Sequence, residues 1–75
     1  MELQNFIEKF AEQFEDTDVS KIQADTVFQE LGEWSSLTTL GIIAFVKTEY
    51  GKNITGKEIR SCETVKDLFE LINSI

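Results

Sequence analysis

Ser35 and Ser36 are the residues best placed to do chemistry, because they stand where a loop turns into a helix. Gly32 punctuates the stretch before them, and apolar residues recur at helical spacing after them, through Tyr50. A serine at such a junction is exposed. Its hydroxyl lies at the positive end of the helix dipole, where unpaired backbone N–H groups favour an attached phosphodiester without a metal or an arginine. Ser36 is the residue expected to be modified. Serine is also a favoured helix cap, so the competing reading is an unmodified helical interaction module in which Ser35 and Ser36 only cap.

Other chemistry is scarce. The chain has no histidine, so general acid/base work near neutral pH and Ser/His or Cys/His pairs are excluded, and no catalytic residue is expected. The single Cys62 allows neither an intrachain disulfide nor a Cys-x-x-Cys site, and reads as a small buried apolar residue of a reducing compartment. Asp16, Asp18 and Ser20 open like a calcium loop. Lys21 holds the glycine position and Val27 the terminal glutamate position, however, so no metal is expected and the acids read as turn formers.

Seventy-five residues make a single domain, 1–75, that buries only about 60% of its unfolded surface. A net charge of −7 argues against nucleic acid, which is bound through clustered Lys and Arg. Residues 1–33 hold nine acids and two lysines, whereas the rest is balanced at five and five, so all the excess negative charge precedes Ser36. No apolar run approaches the roughly 18 residues that span a bilayer, and no basic start leads a hydrophobic stretch. The expectation is a soluble, cytoplasmic monomer.

Helical elements position the serines. Leu3, Phe6, Ile7, Phe10 and Phe14 share one face and predict a first helix over Glu2–Phe14, its aromatic residues forming core rather than lining an acyl pocket. Residues 15–35 form a long connection, with Val19, Ile22, Val27, Phe28 and Leu31 available to pack it. In the second helix, Ser36 to Tyr50, the predicted buried arc is Thr39, Ile42, Ile43, Val46 and Tyr50. Gly51 stops it. In the segment after it, Ile54 and Ile59 read as inward-facing and Thr55 as a cap. Thr64 and Asp67 have capping-box spacing ahead of Val65, Leu68, Phe69, Ile72 and Ile75 on one face of the last helix.

The string Ser35-Ser36-Leu37 resembles the Asp-Ser-Leu motif of the acyl carrier protein family, with serine in place of aspartate. Thr26-Val27-Phe28-Gln29-Glu30-Leu31-Gly32 resembles the family's approach to that motif, Asn53 to Arg60 its short third helix, and Thr64-Val65-Lys66-Asp67-Leu68 its last helix start. The resemblance implies an all-α, four-helix bundle of acyl-carrier type with a long loop between helices one and two and a short third helix. It also implies that a phosphopantetheinyl transferase moves 4′-phosphopantetheine from coenzyme A onto Ser36, and that the thiol of this arm then carries an acyl or aminoacyl thioester between loading and processing enzymes of fatty acid or polyketide biosynthesis. In the family the second helix is an acid-rich recognition helix, but Glu49 is the only acid on this one. Trp34, Leu37, Leu40, Gly41, Ala44 and Lys47 are the candidate docking residues. Leu37 and Leu40 either dock a partner or complete the core, and Trp34 either contacts the transferase or packs over the loop.

Overall fold

A computed structural model describes residues 2–75 as an all-α fold with no strand among them. Four α-helices follow in order: α1 (Leu3–Ala11), α2 (Ser36–Tyr50), α3 (Gly56–Arg60) and α4 (Val65–Ser74). Their apolar faces close on a core in which Phe6, Phe10, Phe28, Ile42, Val46, Ile59, Val65, Leu68 and Ile72 have almost no solvent exposure. Each such side chain contributes roughly 1.5–3 kcal/mol by leaving water, a necessary concentration of burial in so short a chain. Phe6 is the hub. Its ring lies 5.6 Å from Phe45 of α2 and 5.5 Å from Phe69 of α4, which ties three helices to one residue.

The first helix ends earlier than its periodicity predicts, at Ala11 rather than Phe14. Beyond Ala11 the chain tightens into 3-10 turns, with the Gln13 and Phe14 N–H groups donating to Phe10 and Ala11 carbonyls. Phe14 stays buried, so the apolar spacing outlasts the helix. Similarly, the third helix starts at Gly56 rather than near Asn53, because Thr55 caps it in a capping box with Glu58. Ile54 and Ile59 are inward as expected.

The long connection is held at both ends. Short 3-10 turns occupy Val19–Lys21 and Phe28–Glu30, with Asp18 Oδ1 accepting from the Ser20 N–H to start the first. Ile22 and Phe28 are buried, Val27 and Leu31 are half-buried, and Val19, expected to pack, is exposed. Near the start of α4 the connection supplies what the helix lacks: Thr26 and Ala24 carbonyls accept the Val65 and Lys66 N–H groups at 3.1 and 2.9 Å. With the Thr64–Asp67 capping box, this satisfies most of the orphan donors of α4. Ile75, expected on the buried face, is exposed at the end of the described chain.

On α2 the inward face is Thr38, Ile42, Phe45 and Val46, with Thr39, Ile43 and Tyr50 only half-buried. Apolar residues surround most of this helix, so periodicity alone does not locate its inward side. The contact between Phe6 and Phe45 helps set it. At its end Gly51 takes φ 64°, the left-handed region that glycine enters without strain, and its N–H closes on the Lys47 carbonyl at 3.0 Å.

Candidate functional site

Ser36 is the first residue of α2 and is exposed, and no hydrogen bond within the described chain engages its hydroxyl. The junction that presents it is built by its neighbours. Ser35 is the cap, but its Oγ stands 3.5 Å from the Thr38 N–H, the outer limit of a hydrogen bond. The buried Thr38 hydroxyl makes the closer contacts: it accepts from the Ser35 N–H at 2.7 Å and donates to the Ser35 carbonyl at 2.8 Å. The Thr39 hydroxyl donates to that same carbonyl at 3.0 Å. These bonds fix the backbone entering α2 and leave Ser36 Oγ pointing free of the capping network, beside N–H groups that carry the positive end of a fifteen-residue helix.

One face of Ser36 borders a cleft of about 540 Å³ between α2 and α3. Trp34, Thr39, Leu40 and Ile43 give it an apolar wall, and Arg60 is its only charged lining residue. No carboxylate or imidazole lines the cleft. On its α3 side Gly56 is closely covered, since an added Cβ would stand 3.2 Å from Arg60 Nη1 and 3.9 Å from the Thr39 methyl group. Gln29 holds the end of α3 in position, its side-chain amide donating to the Cys62 and Arg60 carbonyls at 2.9 and 3.2 Å.

On the opposite side of the junction, Glu33 fastens the end of the long connection to its beginning. Its carboxylate accepts from the Glu15 N–H at 2.6 Å, the Asp16 N–H at 3.0 Å and the Thr17 hydroxyl at 2.8 Å. These donors, the Glu15 N–H foremost, hold its pKa below the ordinary glutamate value. Trp34 follows directly. Its ring packs edge-on against Phe28 at 5.0 Å and near Phe14 at 6.2 Å, while another edge faces the cleft, so packing and exposure to a partner coexist at this residue.

No family model, curated protein or solved structure matches this chain.

The outward stripe of α2 divides between two neighbours. Leu40 borders the cleft with Ser36, whereas Gly41 and Ala44 border a depression with Gln13, and Leu37 borders a separate one with Gln13 and Glu33. Leu37 and Leu40 do not complete the core: 80% and 62% of their surface is exposed. Gly41 is less open than its position suggests, since a Cβ there would meet Gln13 Oε1 at 3.1 Å. Lys47 is exposed, with Nζ 3.3 Å from Asn53 Oδ1. Glu49, the only acid on the helix, pairs with Lys9 at 2.6 Å, which raises the lysine's pKa through that hydrogen bond. Cys62 is buried, and burial pushes its thiol pKa up, so little nucleophilic thiolate is present near neutral pH.

Three residues that shape the site carry no motif. Thr38 and Glu33 act through hydrogen bonds that spacing alone does not reveal, although Thr38 does sit at the third helical position after Ser35. Arg60 has one signal in the sequence: it is the chain's only arginine.

Proposed function

We propose that this chain is an acyl carrier domain whose Ser36 receives 4′-phosphopantetheine from coenzyme A. The observation that carries the reading is an exposed serine, free of hydrogen bonds, at the first position of α2 beside an apolar-walled cleft. The order of four helices, the pinned connection and the short α3 fit the bundle that the motif resemblance implies. The residues present suit the group. Ser36 Oγ supplies the attachment point, the α2 N–H groups favour the phosphodiester, and the apolar wall of Trp34, Leu40 and Ile43 gives a slender arm a surface to lie along. When bound, the group supplies the thiol on which cargo is held as a thioester.

This chain's own part in loading is nucleophilic and steric. As the bond from Ser36 Oγ to phosphorus forms, the pyrophosphate bond of coenzyme A breaks and the nucleotide portion leaves with its electrons. The serine proton passes to a base of the transferase, because the cleft offers none. Thr38 and Ser35 hold the helix start rigid while this happens. The buried Cys62 stays out of thioester exchange, which leaves the arm's thiol as the reactive one. Acyl and aminoacyl cargo are both compatible, and a monomer working in the cytoplasm is the setting this chemistry suits.

Intact-mass measurement after incubation with coenzyme A, magnesium and a broad-specificity phosphopantetheinyl transferase tests the reading. A gain of one phosphopantetheinyl group supports it. No gain, with a control carrier modified alongside, favours the unmodified interaction module, whose support is the exposure of Leu37, Leu40 and Ala44 on one helix.

A further inference from the structure

Arg60 stands in the cleft without a counterion. Among the described residues the one ion pair is Lys9–Glu49, and no hydrogen bond engages the Arg60 guanidinium. The side chain folds back over Gly56, where an added Cβ would stand 3.2 Å from Arg60 Nη1 and in ordinary contact with the Thr39 methyl group. Thr39 lies one turn along α2 from Ser36 and on the same side of the helix, and both line the same cleft as Arg60. An unpaired guanidinium facing an otherwise uncharged wall, in a chain of net charge −7, is suited to an oxyanion, and its planar fork matches the geometry of a phosphate.

We propose that Arg60 is the anion-recognition residue of the cleft and pairs with the phosphodiester on Ser36, drawing the arm toward α3. This rests on the carrier reading. An oxyanion on the loaded arm has two sources, the phosphodiester itself and a carboxylate at the far end of the cargo. The phosphodiester is favoured because its tether keeps it at the cleft mouth in every loaded state, whereas a cargo carboxylate is present in some cargoes only.

The test compares parent, Arg60→Gln and Arg60→Lys, each as apo protein, as holo protein with a free thiol, and as holo protein loaded with butyryl or succinyl groups. The readouts are the Tm gap between modified and apo forms and the 31P line width of the arm. At low salt the parent should show a gap of about 2–4 °C from the exposed pair. Arg60→Gln should lose that part of the gap and narrow the 31P line as the arm is freed, and Arg60→Lys should retain much of it. High salt should shrink the difference between parent and Arg60→Gln, and butyryl and succinyl forms should behave alike. Equal gaps and line widths in all three proteins overturn the proposal. An Arg60 effect confined to the succinyl form also overturns it, assigning the guanidinium to a cargo carboxylate. Absence of any mass gain on Ser36 is a separate failure, of the carrier reading, and removes this pairing with it.

Discussion

Replacing Thr38 by valine should cost more stability than replacing Ser35 by alanine, although Ser35 is the residue in the capping position. Valine keeps the shape of threonine and has similar helix propensity, so the change isolates the hydroxyl. Losing it strips the Ser35 N–H of its 2.7 Å acceptor. The Ser35 carbonyl loses a donor too, but it still accepts the Thr39 N–H at 3.0 Å and the Thr39 hydroxyl at 3.0 Å, so only the N–H is orphaned. A part-buried donor left without a partner costs about 1–3 kcal/mol, and partial burial places this one near 1. For a domain of this size that corresponds to a fall in Tm of about 4–8 °C. Ser35→Ala removes only the 3.5 Å contact, so it should sit at the low end of cap losses, near 0.5 kcal/mol and about 2–4 °C. Circular-dichroism melts of the three proteins read these shifts directly. A larger loss for Ser35→Ala than for Thr38→Val would mean that the serine hydroxyl, not the threonine, holds the start of α2.

Glu33 should make the fold acid-sensitive. Its folded pKa is depressed, so its stabilising contribution is complete above the ordinary glutamate value of about 4.3 and is lost as pH falls through the lower folded value. Glu33→Gln should be less stable than the parent at pH 7, yet lose less between neutral pH and pH about 3; parallel acid limbs in urea titrations would contradict the clamp. Native apo protein should resist thiol reagents because Cys62 is buried, while holo protein should label once, on the arm; rapid labelling of the apo form would show Cys62 to be accessible. Ala44→Glu with Lys47→Glu should speed modification by a transferase with a basic surface, and high salt should erase the gain. Ala44 is the better site than Gly41, where a side chain would press on Gln13. An unchanged low-salt rate would move docking off this stripe.

The junction at Ser36 was legible because capping, glycine punctuation and helical period all act over a few residues. The same holds for Thr64 with Asp67, where spacing of three is enough to foresee the capping box, and for Thr55 as a cap, whose partner Glu58 the structure adds. The ends of α1 and the inward side of α2 were less so, since Phe14 keeps helical spacing after the helix has tightened and α2 is apolar on most sides. Least legible were the contacts that close the site. Glu33 reaches back to Glu15 and Asp16, Gln29 reaches forward to Cys62, and Arg60 lies over Gly56, where a Cβ would crowd its Nη1 at 3.2 Å. Such contacts depend on the tertiary arrangement and leave no local period in the sequence.

The central claim is that Ser36 Oγ is the attachment point, and peptide mapping by tandem mass spectrometry after enzymatic loading tests it most directly. The phosphopantetheinyl group should map to Ser36 alone, Ser36→Ala should fold and take none, and Ser35→Ala should take one. A group found on Ser35, or loading that survives Ser36→Ala, would contradict the account.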